Sequence, residues 1–155
     1  MIILNPKTFE KARLEIKKAK QEKQQIAIVS SDDELTRKIL EKEEYIILTP
    51  ILSEKKDKLY QRSSGLNHVL AKIAKYNNNI IGIFLDELLE NSDKKLAQIL
   101  ARLQQNIQIC KKKKVSMQWI TTNKEYHRDI HELYSLGIVL GMDTKMAKTA
   151  YLHQL

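Results

Sequence analysis

The residues of this chain whose types and spacing could do chemistry are four histidines, one cysteine, four glycines and a run of lysines. His127 and His131 are four apart, the spacing of two metal ligands on one helical turn. The HExxH pattern, however, needs a glutamate immediately after its first histidine. Arg128 stands there, and a cation opposes metal binding, so the two are read as an exposed or RNA-facing pair. His68 and His153 complete the set. Cys110 falls on a helical face beside four lysines, with no glycine elbow to make it a nucleophile. A single cysteine also excludes an internal disulfide and a multi-cysteine zinc site. Gly65, Gly82, Gly137 and Gly141 form neither a phosphate loop nor a dinucleotide fingerprint. The run Lys111, Lys112, Lys113 and Lys114 has two readings: a solvated helix C-terminus favoured by the macrodipole, or a phosphate-contacting patch. Trp119, Tyr126 and Tyr134 could stack on bases, but they do not interleave with the lysines, and Trp119 is expected in the core.

These groups need a scaffold. The chain has 155 residues, 43% hydrophobic and 30% charged, which suits one globular domain over residues 1–155. Its formal charge is +8, shared as +3 over residues 1–62 and +5 over residues 63–155, and this points to an anionic partner. No apolar run approaches the roughly eighteen residues of a membrane span, since Asp86 and Glu87 interrupt the richest stretch, Ile80 to Leu89. The opening residues show no basic leader followed by an apolar core, so the cytoplasm is the expected location.

Short β-branched runs alternate with amphipathic stretches throughout, the pattern of an α/β domain. Strands are expected at Ile2–Leu4, Ile26–Val29, Tyr45–Thr49, Ile80–Leu85, Val115–Ile120 and Gly137–Gly141. Helices are expected between them, the first capped by Asn5 with Pro6 at its first position. Later ones carry apolar stripes through Leu66, Val69, Leu70 and Ile73, and through Leu96, Ile99, Leu103 and Ile107. Thr122 and Asn123 cap a helix containing Ile130, Leu133 and Tyr134, and a short helix starts at Asp143. Residues 53–64 read as a polar, mobile loop. About six mainly parallel strands allow an open doubly wound sheet or an incomplete TIM-barrel-like (β/α) domain, a full barrel needing roughly 200 residues or more.

The stretch Ser64-Gly65-Leu66-Asn67-His68-Val69-Leu70-Ala71-Lys72-Ile73-Ala74, followed by Ile81-Gly82-Ile83-Phe84-Leu85 and Leu88-Leu89, resembles ribonuclease P protein component 3. Leu136-Gly137-Ile138-Val139-Leu140-Gly141-Met142 with Ala147-Lys148 resembles the C-terminal block of the same family. That family is the archaeal and eukaryotic protein subunit of the ribonucleoprotein that removes the 5′ leader from precursor tRNA. The resemblance implies a TIM barrel of metal-dependent-hydrolase type without metal ligands. It also implies a non-catalytic subunit, with the chemistry left to the RNA subunit and its Mg²⁺ ions. The implied partners are ribonuclease P RNA, a second small protein subunit and, indirectly, precursor tRNA, with no membrane and no cofactor held by the protein.

Carried over by motif, Arg62, His68, Lys72 and Lys148 become RNA-contact candidates, joined by the lysine run 111–114 and by Arg128. For His68 the alternative is a helix-start histidine bonded to a neighbouring loop. Around Arg128 the chain departs from the family pattern, with Ile130 where proline is expected and Glu132 where aspartate is. The family's opening strand-helix units also have no counterpart here, which implies an incomplete barrel whose open sheet edge needs cover from a partner or another copy. The competing reading is a small TIM-barrel-like metal-dependent phosphoesterase.

Overall fold

The computed structural model describes residues 1–151, so His153 lies outside the described residues. Five strands form one sheet in chain order: β1 (Ile2–Leu4), β2 (Ile26–Ser30), β3 (Ile47–Pro50), β4 (Ile80–Phe84) and β5 (Met117–Ile120). Every neighbouring pair is parallel, in a register that sets Ile3 beside Ala27, Leu48 beside Ile81 and Ile83 beside Trp119. Parallel neighbours need crossovers, and helices supply them: α1 (Phe9–Gln21), α2 (Asp33–Lys42), α3 (His68–Tyr76), then α4 (Leu85–Glu90) with α5 (Asp93–Lys113). After β5 come a 3₁₀ turn (Lys124–Tyr126), α6 (Ile130–Val139) and α7 (Thr144–Tyr151). No helix of the described residues is long and apolar enough to cross a membrane.

Period-two alternation along the strands divides the core. Ile26, Ile28, Leu48, Ile81, Ile83, Met117 and Trp119 pack with residues of all the long helices in the larger cluster. Ala27, Ile47 and Ile120 face the other way and meet Ile3 and Ile80 in a second cluster containing no helical residue. Helices therefore cover one face only, and the sheet curls until residues of β1 and β5 share a cluster, as in an open barrel. Across the concave side the Gln25 amide donates to Gln118 Oε1 at 3.4 Å. This is the expected TIM-barrel-like α/β fold, and Trp119 is buried in its core as expected.

Several expected elements differ in detail. Gly137–Gly141 is not a sixth strand; residues 137–139 end α6. The helix is started upstream by a capping box, with Asp129 accepting from the backbone of His131 and Glu132 accepting from that of Asp129. Once nucleated it runs through the β-branched pair Ile138-Val139 and stops at Gly141, whose φ of +107° suits glycine. Thr122 and Asn123 thus precede only the 3₁₀ turn. The first helix is capped by Thr8 rather than Asn5, and β4 passes without a loop into α4, which takes Leu85 from the end of the expected strand.

Gly82 shows how tightly the curled sheet is packed. A Cβ there would lie 2.0 Å from Thr49 Oγ1 and 2.9 Å from Thr49 Cβ. Gly82→Ala is expected to cost about 1–3 kcal/mol in urea unfolding, partly restored when Thr49→Ala is added, because overpacking is relieved only by removing the atom struck. Cys110 is fully buried in α5, and burial pushes its thiol from 9.0 to about 12. The folded state holds this proton while an unfolded chain releases it near 9, so the contribution to stability is expected to fade as pH rises from about 9 towards 12. Iodoacetamide should accordingly spare the folded protein at pH 8 and label it in guanidinium.

Candidate nucleic-acid interface

The loops at the C-terminal ends of the strands are positioned by two adjacent carboxylates. Asp86 and Glu87, both buried, open α4 directly at the end of β4. A buried carboxylate is tolerated only with hydrogen-bond donors around it. Glu87 takes them from the exit of β3, accepting from the backbone of Leu52 at 3.0 Å and Ser53 at 2.7 Å. Asp86 takes them from the exit of β5, accepting from the Thr122 backbone at 3.0 Å and from the hydroxyls of Thr121 and Thr122.

Beyond Ser53 the chain is irregular, as expected, but the polar side chains that suggested a mobile loop tie it down. Lys55 is buried; its ammonium donates to the Ser31 carbonyl at 2.8 Å and pairs with Asp33. Arg102, buried in the middle of α5, donates to the Leu52 carbonyl at 2.9 Å and reaches Asp57 at 3.2 Å. Asp57 also accepts from the Ser63 backbone at 2.9 Å. Gln105 and Asn106 then donate to the carbonyls of Arg62 and Ser64 at 3.4 and 3.0 Å. The Asp57 carboxyl lies below its ordinary 3.8, first because of the Ser63 N–H and then because of Arg102. Its hold on the loop is therefore present above pH 3.8 and lost as pH falls through the lowered value.

This path makes the loop one wall of a cleft of about 960 Å³, walled opposite by α5 and closed by the turn between α6 and α7. Arg62 and His68 line one side and Lys111 and Lys112 the other. Between them stand the amides of Gln61, Asn67, Gln104, Gln105 and Gln108, and among the described residues no acidic one lines the cleft. Arg62 has Asp57 as an electrostatic neighbour, while Lys111 and Lys112 make no ion pair among the described residues; cations in excess, interspersed with hydrogen-bond donors, have the chemistry that suits a polyanion.

Four of the nine sequence-derived candidates thus converge. His68 is the first residue of α3, set by Asn67, whose side chain accepts from the Leu70 backbone at 2.9 Å. Its exposed imidazole faces the cleft and makes no bond to a neighbouring loop. Lys111–Lys113 occupy the last turn of α5, where the macrodipole favours them, and Lys111 and Lys112 also line the cleft. Lys114, at φ +56°, caps the helix, and neither it nor half-buried Lys113 lines the cleft.

The remaining candidates stand apart. Lys72 and Lys148 are exposed on α3 and α7 and do not line the cleft. Arg128 is folded onto its own loop, donating to the carbonyls of Glu125 and His127 at 3.0 and 3.1 Å. His127 follows the 3₁₀ turn and His131 lies within α6, so the two do not share a helix face, although both are exposed. Among the described residues no three of His, Cys, Asp and Glu are grouped to hold a metal ion.

Sequence reasoning missed the amides and Arg102. Gln104, Gln108, Lys111 and Lys112 recur at helical spacing along one flank of the Ile99-Leu103-Ile107 stripe, a signal available in the pattern. Arg102 carried no such signal, being a charged residue beside Leu103 whose burial depends on the loop that covers it.

No protein-family model matches the chain. It is 32% identical over 97 residues to a protein named ribonuclease P protein component 3 from Methanococcus vannielii, covering 63% of this chain and 39% of that one. A protein of the same name from Methanosarcina acetivorans is 41% identical over 58 residues, 37% of this chain and 24% of the other. The chain therefore spans less than half the length of these relatives. Among solved structures it resembles a chain in a cryo-EM structure of archaeal ribonuclease P with mature tRNA, with a TM-score of 0.77 and 22% identity over 96% of this chain and 62% of that one. At that identity the likeness is one of fold.

Arg102→Ala would remove two hydrogen bonds that organise the cleft wall. It is expected to lower stability by about 1–3 kcal/mol, read by chemical denaturation. Trypsin should also cut more quickly after Lys56 and Lys58, whereas an unchanged cleavage rate would show that the loop holds itself.

Proposed function

We propose that this chain is a protein subunit of a ribonuclease P, binding and supporting a catalytic RNA during removal of the 5′ leader from precursor tRNA. The observation that carries the reading is the acid-free cleft, in which Arg62, His68, Lys111 and Lys112 converge from distant parts of the chain. The relatives' names and the archaeal ribonuclease P neighbour support the choice of RNA over other polyanions. In this reading the protein performs no bond cleavage. Its cations neutralise phosphates that would otherwise repel one another, a task that Mg²⁺ performs in the RNA alone. Lys72, Lys113, Lys114, Arg128 and Lys148 serve as outlying phosphate contacts. A second small protein subunit is the protein partner, precursor tRNA is reached through the RNA, and the particle works in the cytoplasm.

Reconstitution tests the proposal. With its partner subunit and the cognate RNA, the chain is expected to allow precursor tRNA cleavage at Mg²⁺ concentrations where RNA alone is inactive; no gain in activity would defeat it. Affinity for the RNA should fall steeply with salt. The triple change Arg62→Gln, Lys111→Gln and Lys112→Gln is expected to flatten the plot of log affinity against log salt by roughly 2 to 3, since each phosphate no longer neutralised takes about 0.7–0.9 from the slope.

A further inference from the structure

We infer that the Leu59-Tyr60 turn is a stacking platform for unpaired RNA nucleotides at the lip of the cleft, an inference that rests on the RNA reading above and extends it. Tyr60 is 95% exposed and Leu59 86%, so Tyr60 is the most exposed large apolar side chain among the described residues. A turn tip is ordinarily made of Gly, Asn, Asp or Ser, and two large apolar side chains there gain nothing from the fold.

The turn is well supported from below. Lys58 and Gln61 exchange backbone hydrogen bonds, Lys58 N–H to the Gln61 carbonyl at 2.9 Å and the reverse at 3.3 Å. Asp57, one residue earlier, is held by Arg102 and the Ser63 backbone. The ring therefore stands on an ordered base, which reduces the entropy lost when a ligand stacks on it. Its position relative to the cleft is set by the chain, because Gln61 and Arg62, the next two residues, line the cleft.

Charge decides what the platform receives. Lys58 and Arg62 flank the tip; of the acids near them Asp57 is engaged with Arg102 and Asp33 with Lys55, which leaves Glu34 across the neighbouring hollow and the cations in excess. An apolar protein surface would gain nothing from two cationic flanks. A nucleic acid strand offers both complements, base faces for the ring and phosphates for the cations. In a duplex the base faces are already stacked, so the ligand is an unpaired segment.

Tyr60→Trp provides the readout, since the native Trp119 is buried and its emission serves as an internal reference. In the whole chain, single-stranded oligoadenylate is expected to quench the exposed tryptophan, and duplex RNA of equal length is not. Tyr60→Ala should weaken single-strand binding about tenfold or more without altering the salt slope, and Tyr60→Phe should bind within about twofold of the parent. If Tyr60→Ala binds single strands as the parent does while the cleft triple variant is weakened, the platform is disproved and the RNA cleft stands. If the parent binds no RNA, both fail. If the Tyr60→Trp emission instead follows protein concentration without RNA, the tip is a contact between protein copies and the inference is overturned.

Discussion

Two neighbouring carboxylates at the end of β4 are the constraint on which the upper half of the molecule depends. Because α4 begins without an intervening loop, Asp86 and Glu87 are held at the strand's end and serve strands on opposite sides, Glu87 the exit of β3 and Asp86 that of β5. Buried charge is expensive unless it is fully hydrogen-bonded, and here the donors are mostly backbone groups that would themselves be costly to leave unpaired. One requirement meets the other. The β3 exit is thereby directed towards α5, where Arg102 meets the Leu52 carbonyl and the loop continues along the helix.

Much of the scaffold was legible because its strands are short, apolar and separated by amphipathic helices. Ile26–Val29 and Ile80–Phe84 could hardly be anything but buried strands beside the stripes that follow them. The failure at Gly137–Gly141 is equally physical: a short apolar run does not reveal its own period, and its conformation was decided eight residues upstream by Asp129 and Glu132. Tertiary contact then favours the helix, since at Gly137 a Cβ would come within 2.9 Å of the Met142 sulfur and 3.5 Å of the Ala147 Cβ.

The site was half legible. Charge could be counted, and a resemblance brought forward Arg62 and His68, but nothing local tells that Lys111 and Lys112 stand across a cleft from them. That placement depends on residues 52–66 following α5, hence on buried polar groups such as Arg102 and Asn106 that look like surface residues in a helical pattern. The amides show the opposite case. Their spacing was present in the sequence, yet glutamine on a helix face is so ordinary that only the shape of the cleft gives it meaning.

The strict chain order of the sheet bears on how the protein is made. Each strand pairs only with neighbours in sequence, so no strand must wait for a distant one before it can dock. A chain emerging from the ribosome can lay β2 on β1 through α1, then β3 on β2 through α2, each step closing a modest loop and burying one further apolar stripe. The long connection between β3 and β4 interrupts this growth. Lys55 can be anchored at once on Ser31 and Asp33, but the other anchors come from α4 and α5, which are synthesised afterwards, so the cleft is completed only when the second half of the sheet has been added.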